Sequence, residues 1–316
     1  MNIQYSKWKL NEFKQLNKSM KDILHIQEGQ LYFPIMSLFF YIHNTKNSHR
    51  VLDFKRPQYI KQILDCENIK KYNSNIIVDA IVSNKNNPNE KQRKLFCKII
   101  PLLDPIHYLL NNYNLSKHRN PLLPSNYNFN TYTKINDMNN MAYIDVFFSY
   151  IVSHISETNK NPSFSLYYGS VNGIGNYKHD ISDDIDEFKN HSGFFKMDKC
   201  IDIEEFINDL DNDDISCHTS SNSSNSSSNS SNSSSNSSNS SSNSSSSSRS
   251  NYDDYIATFK NFPVICLFIE TLEGTLEDII KNELNLDLLR SCLFQITFAL
   301  IYLQKHYFFT HNDLHI

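Results

Sequence analysis

Glycine is scarce in this chain, six in 316 residues, and none stands between Gly29 and Gly169. That gap excludes a glycine-rich phosphate cradle before residue 169, because glycine is what lets the backbone close tightly over phosphate oxygens. Paired cysteine motifs are missing too. Cys66, Cys97, Cys200, Cys217, Cys266 and Cys292 are scattered with no C-x-x-C. Cys97, Cys266 and Cys292 sit in apolar runs, as reduced core thiols do. No excess of one charge is present: the net charge is -4 and the pI about 6.3, which gives no electrostatic case for nucleic acid or an anionic membrane. The basic cluster Lys91-Gln92-Arg93-Lys94 reads as a solvated loop. Met1 to Lys7 lacks the apolar core of a secretory signal. The greasiest run, Tyr32 to Ile42, contains Pro34 and is too short to span a bilayer. The expectation is a reducing intracellular compartment, in which the Asn-X-Ser triplets of the chain are not glycosylated.

What is present is a core-forming sequence, 39% hydrophobic with 21 Phe and 18 Tyr. Leu10, Phe13, Leu16, Met20, Ile23 and Ile26 recur at helical spacing, and Gly29 reads as the stop. Tyr32 to Ile42 reads as a buried strand or a short core helix. The stretch Tyr59 to Leu64 reads as helical. Asn75 to Ser83 and Leu95 to Leu103 read as two strands joined by a polar tip, an antiparallel hairpin. Asn139 to Ile155 carries an apolar stripe at helical spacing, Phe164 to Val171 is β-rich, and Pro263 to Ile269 is the most hydrophobic short strand. Thr219 to Ser250 is almost wholly Ser and Asn. With nothing apolar to bury, it is expected to be a disordered loop expansion. Thr275-Leu276-Glu277-Asp278 opens a helix after Gly274. Leu289, Leu293, Ile296, Leu300 and Leu303 then repeat at steps of four and three, which predicts a well-buried helix of about five turns.

That last helix delivers the chain to His311-Asn312-Asp313. A lone His-x-Asp is a weak signal, so its setting decides what it is worth. Upstream, in order, come a strand with Lys98 (Phe96-Cys97-Lys98-Ile99-Ile100), a helix with Asp145, the strand Pro263 to Ile269 and the segment Glu270-Thr271-Leu272-Glu273-Gly274. A protein kinase presents these parts in this order: a strand lysine for the nucleotide phosphates, a helix acid that pairs with it, a strand feeding a hinge, and helices leading to the catalytic loop. Taken alone, Lys98 reads equally as a snorkelling strand lysine and Asp145 as a solvated helix residue. The Pro101-Leu102-Leu103-Asp104-Pro105 run after Lys98 favours the kinase role.

In the segments Lys98 to Pro105, Asn140 to Phe148, Glu270 to Leu276 and Phe309 to His315, the chain resembles the protein-kinase-like proteins of large nucleocytoplasmic DNA viruses, mimivirus-type. The resemblance spans about residues 30–316. It implies that Lys98 contacts the α- and β-phosphates of ATP and that Asp145 pairs with it. Backbone groups of Glu270, Thr271 and Leu272 would meet the adenine, His311 would position the catalytic loop, and Asp313 would be the catalytic base. It also implies a location in host cytoplasm or virion. The departures are the missing glycine-rich loop, an Asp where a Glu is usual at 145, and a sequence that stops three residues after Asp313 without a loop Asn or an Asp-Phe-Gly metal site. The expectation is a truncated, inactive kinase-like protein of Ser/Thr ancestry with weak or lost ATP binding and no metal site, because magnesium neutralises the charge of phosphoryl transfer. The rival expectation is a non-catalytic pseudokinase-type module with an unidentified protein partner.

Three other patterns are set aside. His311 and His315 at i, i+4 lack a third zinc ligand. Asp209-Leu210-Asp211-Asn212-Asp213 begins like a calcium loop, but Asp214 replaces its turn glycine and Ser220 its bidentate Glu. Gly169-x-x-x-Gly173-x-Gly175 lacks the Lys-Ser/Thr of a P-loop and reads as a strand turn. A fourth, the acidic run Asp180 to Glu187, reads as a solvated face, with docking of a basic partner as its alternative. The expected fold is α+β: residues 1–74 an N-terminal extension, 75–269 a kinase-like N-terminal lobe of antiparallel sheet and helix containing the 219–250 insertion, and 270–316 the hinge and first helices of a C-terminal lobe.

Overall fold

A computed structural model describes residues 2–41, 48–68, 74–85, 89–110, 112–113, 122–125, 132–189, 201–206, 217–218, 254–282 and 285–311. The expected Ser/Asn loop and Asp313 both lie outside these. The described elements, in chain order, are β1 (Tyr5–Lys7), α1 (Leu10–Ile23), β2 (Gln27–Gln30), a 3-10 turn (Pro34–Leu38), β3 (Leu52–Phe54), β4 (Gln58–Asn68), β5 (Ile76–Asn84), β6 (Lys91–Pro101), α2 (Pro105–Leu109), α3 (Thr133–Asn136), α4 (Met141–Glu157), β7 (Tyr167–Asp180), α5 (Ile185–Lys189), β8 (Ile201–Phe206), β9 (Cys217–His218), β10 (Asp254–Glu270), α6 (Leu276–Asn282) and α7 (Leu286–Tyr307).

The fold is α+β, built on one antiparallel sheet whose strands run in the order β2-β7-β10-β6-β5-β4, with β8 pairing the early part of β10 and β9 pairing β8. The predicted hairpin is there: β5 and β6 pair antiparallel, Ile76 opposite Cys97. β4 completes a three-strand meander before it, and β10 inserts between β6 and β7. Residues 1–74 supply two strands of this sheet, β2 and β4, and a small β1-β3 pair. The most apolar stretch of the chain lies at the centre, with Phe262 to Phe268 of β10 buried on both faces.

Five expectations change on folding. Lys91-Gln92-Arg93-Lys94 is the exposed start of strand β6 and not a loop. Tyr59 to Leu64 is strand, not helix. β4 carries register shifts between Ile60 and Gln62 and between Ile63 and Asp65, so its buried Ile60 and Ile63 fall three apart, a helical spacing produced by bulges. α1 ends at Ile23, and Gly29 lies in β2. Gly169, Gly173 and Gly175 run through the long strand β7 and make no turn. A Cβ on Gly173 or Gly175 would meet the Ile26 side chain at 2.3 or 2.2 Å, so these glycines exist to admit β2. Finally, α7 is a helix of 22 residues with only Leu303 buried; Leu286, Leu288, Leu293, Phe294, Phe298 and Ile301 face outward, while Ile296 and Leu300 are half-buried. It is also long and apolar enough, by length and composition, to cross a membrane.

The sheet is curled. Gly169 of β7 (φ +146°) would place a Cβ 3.4 Å from Cγ2 of Ile60 on β4 and 2.6 Å from Nη2 of Arg56. α1 lies along the outer edge of β4, where Ser19 Oγ accepts from the Ile63 amide at 3.0 Å. That satisfies a donor an edge strand leaves open. On α4, Tyr143, Phe147 and Tyr150 form an aromatic stripe against Phe33, Phe39 and Phe54.

Candidate functional site

The site is built on β6 and α4. On β6, Leu95 and Cys97 are buried in the core while Lys98 alternates to the other face, as the two-residue period of a strand requires. Lys98 stands opposite Leu267 of β10, at mid-sheet. α4 begins at an Asn N-cap: Asn140 Oδ1 accepts from the Ala142 amide at 3.2 Å, satisfying one of the helix's open donors. The same side chain donates through Nδ2 to Leu102 O at 2.8 Å and to Lys134 O at 3.0 Å. Asn140 is 3% exposed, so it clamps the start of α4 to the residue just past the end of β6. That clamp sets the first turn of α4 beside the strand.

One turn on, the consequence is an ion pair. Lys98 Nζ donates to Asp145 Oδ2 at 2.6 Å. The two side chains are 44% and 34% exposed, half-sunk and open to solvent on one side. Three further anchors hold α4 along its length. Tyr143 Oη donates to Ile135 O at 2.7 Å, Tyr150 Oη donates to Lys55 O at 3.2 Å, and Ser153 Oγ accepts from the Tyr167 amide at 2.9 Å. Near the last turn, burial pushes the Glu157 carboxyl up to about 7, although Arg56 and the Ser153 hydroxyl act against the rise.

The remaining candidates lie apart from this pair. Glu270 ends β10; its amide donates to Leu166 O at 2.9 Å and its Oε2 accepts from Leu166 N at 3.2 Å, so that amide is committed within the fold. Thr271 is half-buried, its Oγ1 buried without a hydrogen-bond partner. Leu272 is exposed. Leu272 and His311 line one apolar groove of about 610 Å³ with Phe148, Ile296, Leu300 and Phe309, and neither Lys98 nor Asp145 lines it. Phe309 stacks on Phe148 with ring centroids 5.0 Å apart, and His311 meets Phe309 edge-on at 6.0 Å. α4 is therefore the shared element: Asp145 reaches Lys98, and Phe148, three residues on, holds the segment that leads to His311.

Asn140 is the residue that reading for chemistry passed over. Its signal was visible as an Asn immediately before an apolar-periodic run. Among the described residues, no group of three or more His, Cys, Asp or Glu is placed to hold a metal ion. Comparison with protein-family models, with curated proteins and with solved structures finds no match to this chain.

Proposed function

We propose that the chain is a protein-kinase-like lobe that engages the phosphates of a nucleotide through Lys98, with Asp145 orienting the ammonium, and that these 316 residues do not transfer phosphate by themselves. The observation that carries this reading is the 2.6 Å Lys98–Asp145 pair, made between the third strand of a meander and the long helix α4, which comes after α2 and α3. A lysine on the third strand paired to a helix acid is the arrangement kinases use to hold the α- and β-phosphates. The pair fits such a group chemically: its open side leaves ammonium hydrogens for an incoming oxyanion, while the carboxylate keeps the lysine charged and aimed. When bound, ATP would supply the phosphoryl group.

Three features support the lack of transfer. No glycine precedes Lys98 after Gly29, so the β4–β5 connection has none with which to close over phosphates. The 316 residues contain no Asp-Phe-Gly to hold magnesium. Asp145 is one methylene shorter than Glu. The affinity expected is millimolar or weaker, roughly -4 kcal/mol, and insensitive to magnesium. Calorimetry of ATP binding with and without magnesium, on the wild type and Lys98→Met, tests it. A weak isotherm lost in Lys98→Met supports the reading. Phosphate transfer to protein substrates that vanishes in Asp313→Ala would overturn the claim of inactivity, and binding unchanged in Lys98→Met would overturn the site.

The second reading, a non-catalytic interaction module, is favoured by the outward apolar side chains of α7. It predicts a protein partner and no response to nucleotide at all.

A further inference from the structure

A second cleft, about 400 Å³, opens where β1 hands over to α1 and the β5–β6 hairpin folds back beside it. Its walls carry Lys7, Lys9, Lys61 and Lys85 against Glu12 and Glu90, with Trp8 and Tyr59 as an aromatic floor, their rings 5.0 Å apart edge to face. Lys61 pairs with Glu90, and Lys9 lies 4.0 Å from Glu12. Each of the two acids thus has a lysine within 4.0 Å. Lys7 and Lys85 remain as surplus positive charge. Lys85 Nζ donates to Ser6 Oγ at 2.7 Å and lies over the Tyr59 ring. Burial first, then the nearby Arg56 charge, lowers its pKa, against the opposing pull of Asp53 and Glu12.

Two further observations point the same way. α1 is 14 residues long and starts in this cleft with Lys9 as its N-cap, a side chain that makes no capping hydrogen bond. A lysine has no acceptor with which to cap, so the first-turn N–H groups lack that partner and their dipole favours an anion. Trp8, 6% exposed, lines the cleft with its indole N–H buried and without a hydrogen-bond partner. An uncapped helix start, the unpaired indole of Trp8 and two lysines outside the ion pairs just described all border one space. Nothing in the Lys98 arrangement requires this, and the cleft lies about 25 Å away along β6.

We propose that this cleft is an anion site that takes a phosphate group, held by Lys7, Lys85 and the start of α1. The shared chemistry is a phosphate dianion, free or carried as a monoester on a peptide.

Trp8 is the single tryptophan of the chain, so its emission reports on the cleft directly. The full chain is titrated with inorganic phosphate, and separately with a phosphoserine peptide and its unphosphorylated twin, at constant ionic strength. A saturable change in emission is expected with phosphate and with the phosphopeptide but not with the twin. Tighter binding of the phosphopeptide identifies a phosphoprotein as the source, and equal binding identifies free phosphate. Lys7→Gln with Lys85→Gln should weaken the response about tenfold or more, the worth of a charge-assisted contact. Melting curves check that the variant folds, and the exposed Lys7→Gln alone should still weaken binding. Lys98→Met should leave the titration unchanged, which separates this site from the nucleotide reading. No saturable change in the wild type, a response indifferent to the lysine substitutions (an adventitious ion only), or a response lost in Lys98→Met would each overturn the proposal.

Discussion

Arg56 carries a full charge at 4% exposure and is held from several sides. Nη1 lies 2.8 Å from Asp53 Oδ2, Nε donates to Tyr168 O at 3.0 Å, and the guanidinium sits 5.0 Å above the Tyr167 ring. Removing one member of such a pair strands the other charge in a medium that solvates it poorly. Arg56→Ala should therefore cost about 3–5 kcal/mol. Asp53→Leu with Arg56→Met should cost less than either single change, because no charge is then left alone; urea unfolding of the four proteins in a cycle measures this. Glu157 makes a pH-dependent contribution. Its folded pKa, about 7, is raised above the ordinary value of 4.5, so the folded chain binds the proton more tightly than the unfolded one. Stability should fall as pH rises from about 4.5 to about 7 and then level off. The carboxylate is only partly buried, so the screened effect is on the order of 1 kcal/mol. Melting temperatures across that range should show the slope, and Glu157→Gln should flatten it.

At the scale of elements, β6 and α4 were legible and β4 was not. β6 alternates cleanly and α4 carries an apolar stripe, so strand and helix could be anticipated, whereas the partnership of Lys98 with Asp145 was implied only by the kinase resemblance. β4 misleads because its two bulges shift the buried positions to a spacing of three, a tertiary accommodation to the curl of the sheet. α7 divides differently. Its type and heptad-like spacing were readable, yet its burial was not, since apolar residues announce a wish for cover without showing what provides it. Leu293, Phe294, Phe298 and Ile301 are 51%, 71%, 44% and 55% exposed. A patch of that kind attracts dye and promotes association. The 316-residue chain should bind a hydrophobic-surface dye and self-associate, and Leu293→Gln with Phe294→Gln should reduce both by severalfold in fluorescence and sedimentation. A monodisperse wild type that binds no dye would contradict this account of α7.

For the whole molecule, Thr219 to Ser250 should be dispensable. The tract holds no hydrophobic residue to add to the core, and the entropy of closing a long loop changes only slowly with its length. Its deletion should leave the melting temperature within a few degrees, whereas loss of cooperative unfolding would show that the tract is structural. The sequence by itself determined the central strands, the helical character of α1, α4 and α7, and the absence of a glycine-rich loop. These depend on local periodicity and on which residue types tolerate which backbone. The closure of the sheet was decided only by the tertiary structure. Residues 1–74 wrap back so that β2 takes one edge, α1 covers the other and Arg56 reaches across to Tyr168. The glycines of β7 belong to the same closure: they are small because Ile26 and Arg56 occupy the space a Cβ would need. The cleft at Trp8 is also tertiary: pairing of β4 with β5 sets Lys61 beside Lys85, and packing of α1 on β4 brings in Lys7 and Trp8. Contacts of that kind depend on which distant surfaces come to face one another, and no periodicity along the chain encodes them.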